Sequence, residues 1–275
     1  MMQPAGVETP GRSGKGASRY AFLGVSALLF AASAVGTVVW SASMSAMGGM
    51  PVPGGWTMSM AWMPQPGQPW PVAAASFLGM WVVMTMAMML PSLLPALWRY
   101  REVMGRTGGA HPGLLAASVG LGYFSVWTGF GAAAFPLGAA LAGMAMRRPD
   151  LAGAAPLTAG VVVLVAGCFQ FTTAKARHLA CCREAAGGDG RLLPGGTGTA
   201  WRHGLRLGQH CVRCCAGLMV VLLVIGVTDL RAMAVVAAAI TAERLAPAGE
   251  HVAHAVGVGV VGAGLFLIVR GAGLG

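Results

Sequence analysis

Five of the six cysteines lie in two short stretches, His178-Leu-Ala-Cys181-Cys182 and His210-Cys211-Val-Arg-Cys214-Cys215. Thiolate sulfur is a soft metal ligand and a nucleophile, and imidazole is a common companion ligand. His178 and Cys182 stand four residues apart, as do Cys211 and Cys215, with Cys214 three residues after Cys211. On helices, residues at that spacing share a face, so each stretch can present two or three ligands on one side. Two such faces brought together would build a site of three or four ligands. The same spacing also fits a redox pair or simple buried packing. Arg213, Arg183 and Lys175 place positive charge near the thiols.

A second soft-ligand set lies earlier. Eleven of 18 methionines fall between Met44 and Met89. Met80, Met84 and Met88 recur every four residues and share one helical face, which Met86 and Met89 extend. Met44, Met47, Met50, Met58, Met60 and Met63 lie between Ser41 and Trp70, a stretch without a charged residue. Thioethers are neutral and suit Cu(I), and neutrality avoids the desolvation penalty of carboxylates inside a bilayer. Methionine also packs irregular cores, which would account for the helical set. A polar-facing loop has little core to fill, and there metal capture is the better reading.

The elements that must carry these ligands are apolar. Of 275 residues 56% are hydrophobic and 9% charged, with a mean hydropathy of +0.69. Soluble domains carry about 25% charged residues, so the chain belongs to the membrane class. Apolar windows predict spans at 20–40, 71–98, 114–146, 151–172, 205–228, 232–246 and 251–269. The expected fold is therefore all-α, a polytopic transmembrane helical bundle of about seven spans, with six the alternative because 232–246 is short. Thirteen of 18 basic residues fall on one side of this scheme, Arg244 among them, which puts the N-terminus in the cytoplasm by the positive-inside rule. The first span is too long for a cleaved signal, whose apolar segment is about 7–15 residues. Sixteen arginines against two lysines, with 43 glycines, point to a GC-rich bacterial genome and so to the inner membrane.

Residues 1–19 are small, polar and without apolar period, and read as a disordered cytoplasmic N-terminus. Residues 20–270 form a single transmembrane helical domain, with a methionine-rich external loop at 41–70 and a cytoplasmic linker at 173–204. Gly259 and Ala263, four residues apart, read as a helix-packing pair. Cys168 reads as a small core residue, Glu243 and Arg244 as a pair within the bundle, Asp229 and Arg231 as helix caps, and His251 and His254 as interfacial. The pI of 10.2 is not accompanied by a basic patch interleaved with surface aromatics, so nucleic acid is not an expected partner.

Several of these segments are shared with one bacterial family. Met86-Ala-Met-Met-Leu-Pro-Ser92, Gly122-Tyr-Phe-Ser-Val-Trp127, and Gln170 with Lys175 and Cys182-Arg183 belong to the resemblance. So do Gly204-Leu205, Gly208, His210-Cys211, Cys214-Cys215, Leu218-Met219 and Glu243. Over roughly residues 75–270 the chain resembles the metal-binding integral membrane proteins long catalogued as a domain of unknown function, some labelled copper chaperones. The resemblance implies metal binding, with Cys182, Cys211, Cys214 and Cys215 at the thiol positions. His178 stands where the family usually has another cysteine, and Asp229 and Arg244 stand where it usually has Asn and Lys.

The expected function is soft-metal binding, with Cu(I) the leading cofactor and zinc the alternative, in transport or delivery. Expected partners are the lipid bilayer, a metallochaperone or metalloenzyme client, and a second copy of the chain. The chain carries no nucleotide-binding motif, so it would not itself drive transport with ATP. A membrane thiol oxidoreductase using Cys211 and Cys214, and a membrane subunit with structural zinc, are the competing readings.

Overall fold

A computed structural model of the chain describes residues 12–46, 48, 50–52, 56–58, 62–64, 67–106, 111–187 and 196–273. Eight helices follow one another: α1 (Arg12–Ala46), α2 (Trp70–Arg106), α3 (Pro112–Arg147), α4 (Pro149–Phe169), α5 (Thr173–Gly187), α6 (Thr197–Ile225), α7 (Leu230–Leu245) and α8 (Gly249–Gly271). Between α1 and α2 two three-residue strands, β1 (Met50–Val52) and β2 (Trp56–Met58), pair antiparallel with Met50 opposite Met58. The fold is an all-α bundle with this hairpin as its one sheet among the described residues.

Among the described residues five helices are long and apolar enough to cross a membrane, namely α2, α3, α6, α8 and α1 from Ser18 onward. A sixth crossing is available if α4 and α5, bent by 66° at a short break, count as one broken span. The expectation of seven spans is corrected at α7. Its 16 residues rise only about 24 Å, against about 30 Å of hydrocarbon.

Other boundaries move too. Residues 12–19, expected to be disordered, are helical: no proline lies between Pro10 and the apolar segment, and a helix nucleated by that segment propagates outward. Arg101 fastens this extension, donating from Nη2 to the Ser18 carbonyl at 2.8 Å while its guanidinium lies over the Phe22 and Trp98 rings. Residues 1–11 lie outside the described residues. The segment 173–204, expected to be a linker, is largely α5 and the start of α6; residues 188–195 lie outside the described set. The loop expected from Ser41 begins only after Ala46.

Glycines let two helix pairs touch backbone to backbone. In α3 and α6, which run parallel, a Cβ on Gly204 would overlap the Val119 carbonyl and one on Gly122 the Trp201 carbonyl. In the antiparallel pair α4 and α8, Gly160, Gly167, Gly264 and Gly271 play that part. Gly259 and Ala263 are exposed, and no atom lies within 4 Å of a Cβ on Gly259, so the expected packing pair faces outward. We expect Gly204→Ala to cost about 1–3 kcal/mol, since no rotamer change can clear a backbone carbonyl. Gly259→Ala should be neutral or slightly stabilising. Thermal unfolding in detergent, run on both variants, checks the contrast.

The core continues from α2 through α3 to α6 as one cluster of buried side chains. Trp81 locks α2 to α3 by donating from Nε1 to the Trp127 carbonyl at 2.8 Å. Trp62, from the loop after β2, packs on Phe77 with ring centroids 5.1 Å apart and covers Gly138.

Candidate metal centre

Five helices bring the site residues together, with the thiols on α5 and α6 and their polar neighbours on α2, α3 and α7. On α6, the periodicity that buries Leu207, Leu218 and Leu222 also buries Cys211, Cys214 and Cys215. On α5, Lys175, Leu179 and Cys182 stand at i, i+4 and i+7 and form its buried face. The α4–α5 break swings that face across α6. The Sγ atoms of Cys182, Cys211 and Cys214 then all lie within 4.8 Å of one another. Cys215 Sγ is 3.3 Å from Cys214 Sγ and 3.8 Å from Cys211 Sγ. All four side chains are 0–1% exposed.

α7 closes the site. It leaves the turn at Asp229, whose carboxylate caps it by accepting from the backbone N–H groups of Arg231 and Ala232, and returns along α6. Because it stops so early, its last turn puts Glu243 and Arg244 inside the bundle. Arg244 Nη1 donates to Ser92 Oγ at 2.7 Å, Tyr123 OH at 3.3 Å and Cys211 Sγ at 3.4 Å. The Tyr123 hydroxyl donates to Cys211 Sγ at 2.9 Å. Ser92 is placed by the proline-broken stretch of α2, just after Pro91. A neighbouring network is self-contained: Lys175 Nζ pairs with Glu243 Oε2 at 2.6 Å and donates to the Cys214 carbonyl at 2.6 Å, while Gln170 Nε2 donates to Glu243 Oε1 at 3.0 Å.

The expected Glu243–Arg244 pair is thus not formed. Glu243 takes Lys175, and Arg244 turns to the sulfurs. Arg213 is exposed and Arg183 donates to the Pro247 carbonyl, so neither is the cation that touches a thiol. Cys181 is exposed, and His178 and His210 are half-buried outside the three-thiol group. Cys168 is exposed on α4 rather than buried in the core. His251 and His254 are exposed, the latter stacked on Phe171 at 5.6 Å.

Among the methionines, Met80, Met84, Met88 and Met89 are buried in the cluster that includes the thiols, and Met86 is half-buried. Met44 and Met63 are half-buried. Met50 and Met58 are described only as backbone in the hairpin, and Met47 and Met60 lie outside the described residues.

Ser92, Tyr123 and Arg244 were the site residues whose roles sequence reasoning missed. A signal existed for Arg244: an ionisable side chain inside an apolar segment is by default a functional candidate, with a partner to be found. Chemically, three or four convergent sulfurs without an oxygen or nitrogen donor form a soft, closed site.

The sequence profile of the PpoB2 family, described as copper chaperone, matches residues 78–267, more than half of the chain. The chain belongs to that family. No curated protein and no solved structure matches it. The copper-chaperone match spans every helix that contributes to the site, from Ser92 on α2 to Arg244 on α7. Membership and the buried thiol cluster together make the protein's function copper-related, and its long apolar helices are those of a multi-pass membrane protein.

Proposed function

We propose that this protein holds Cu(I) as cargo at Cys182, Cys211 and Cys214 within a bacterial inner membrane, and moves it across or delivers it to a client. The observation that carries this reading is the convergence of three buried thiols from two helices. Two or three thiolates satisfy Cu(I), which does not need the closed tetrahedron of structural zinc. The N-terminus is proposed to be cytoplasmic, with the methionine-rich hairpin on the opposite face. Loop methionines would collect the ion and the buried α2 methionines would relay it, weaker thioether sites leading to a tighter thiolate site. The client is proposed to be a metallochaperone or copper enzyme.

Cys215 keeps zinc in contention as the occupant, since its sulfur could complete a four-thiolate set. Protein purified anaerobically with Cu(I) and Zn(II) both supplied should carry copper in preference to zinc, and Cys211→Ser/Cys214→Ser should lose it. Copper content unchanged in the double variant overturns the proposal; zinc in place of copper in the wild type supports a structural site instead.

A further inference from the structure

Arg244 is a cation without a carboxylate. It is buried, its Nη1 is shared among Ser92, Tyr123 and Cys211, and its Nη2 has no partner among the described residues. The nearest buried acid, Glu243, is committed to Lys175 and Gln170. Among the other acids with described side chains, Glu102, Glu184, Asp229 and Glu250 are exposed. A guanidinium stays protonated in any protein environment, so this charge cannot be shed by burial. An uncompensated buried ion is strongly destabilising, and the bundle keeps one aimed at sulfur.

We propose that Arg244 is the built-in counter-cation of the loaded site, a positioning residue that sets the affinity for a monovalent soft cation. One monovalent ion on two thiolates, with the third sulfur of the set kept as a neutral thiol, carries a net charge of −1; Arg244 brings the buried assembly to zero. Cys211 is the anchor of that anion, because it accepts from both the Tyr123 hydroxyl and the Arg244 guanidinium. The free Nη2 is the donor left for a second sulfur once the ion draws the thiols together. In a low-dielectric interior such a fixed charge acts with little screening, so its removal weakens binding of the anionic complex far more than at a surface. The proposal rests on the reading of the thiols as a copper site.

The test is Cu(I) affinity of the full-length protein in detergent, measured by competition with a chromogenic Cu(I) chelator. Arg244→Gln should weaken binding about ten- to a hundredfold, the scale on which loss of a group that orients a metal ligand acts. Arg244→Lys, which keeps the charge, should recover most of the loss. Ser92→Asp leaves the arginine in place and neutralises it from 2.7 Å, so it should weaken binding in the same direction, and by more than the isosteric, uncharged Ser92→Asn. The last pair keeps the question answerable if Arg244→Gln fails to fold. Wild-type affinity in Ser92→Asp, or an Arg244→Lys variant as weak as Arg244→Gln, overturns the proposal. Retention of copper by Cys211→Ser/Cys214→Ser instead sinks the copper-site reading alone, whatever the arginine variants do.

Discussion

Cys182→Ala is expected to weaken Cu(I) binding at least about a hundredfold, whereas Cys181→Ala should bind as the wild type does. Changes to groups that merely orient a metal ligand cost about 10–100-fold, so removal of a ligand itself should cost no less. The two neighbours differ only in the direction α5 turns them. Successive residues on a helix point about 100° apart, and Cys182 shares its face with Lys175 and Leu179 while Cys181 is exposed. Cys182 is also the one thiol of the set contributed by α5, so without it the remaining sulfurs come from a single helix. Chelator competition on the two alanine variants decides the matter. Equal losses in both would mean that α5 docks differently, and an unchanged Cys182→Ala would remove it from the site.

This pair marks where sequence legibility stops. Apolar windows locate every long helix, because the bilayer imposes a length and a polarity that composition cannot hide. Cys211, Cys214 and Cys215 are legible as one face because their spacing matches the helical period. Cys182 was not separable from Cys181, because the i, i+4, i+7 face of α5 contains a lysine and does not look like a core. Lys175 and Arg244 were both counted among the charges that orient the chain, since charge counting assumes that a lysine or arginine near a span end reaches water. The structure buries both, one against Glu243 and the other against sulfur. Gly259 and Ala263 show the same limit from the apolar side: their spacing defines a face, but a face does not announce whether it meets a helix or lipid. Gly264, on the neighbouring stripe, is the one that meets α4, and Gly257 meets Gln170 and Phe171 just beyond it.

Glu243→Gln is expected to destabilise the fold by about 3–5 kcal/mol, the cost of stranding one partner of a buried ion pair. The Lys175 ammonium, itself buried, would keep the Cys214 carbonyl as an acceptor but lose the carboxylate that balances its charge. Lys175→Met should cost a similar amount, because it strands the carboxylate with Gln170 as its remaining donor. Lys175→Met/Glu243→Gln removes both charges and should recover much of either loss, since replacing a buried pair outright is often nearly neutral. Unfolding in denaturant and mild detergent measures the cycle, and strictly additive losses would show that the two residues are not coupled. The pair also tells stability apart from function. Lys175 joins the start of α5 to the Cys214 backbone on α6, so it fixes the register in which Cys182 meets the other thiols. A double variant that regains stability but not Cu(I) affinity would show that the pair serves to hold the two thiol-bearing helices in place.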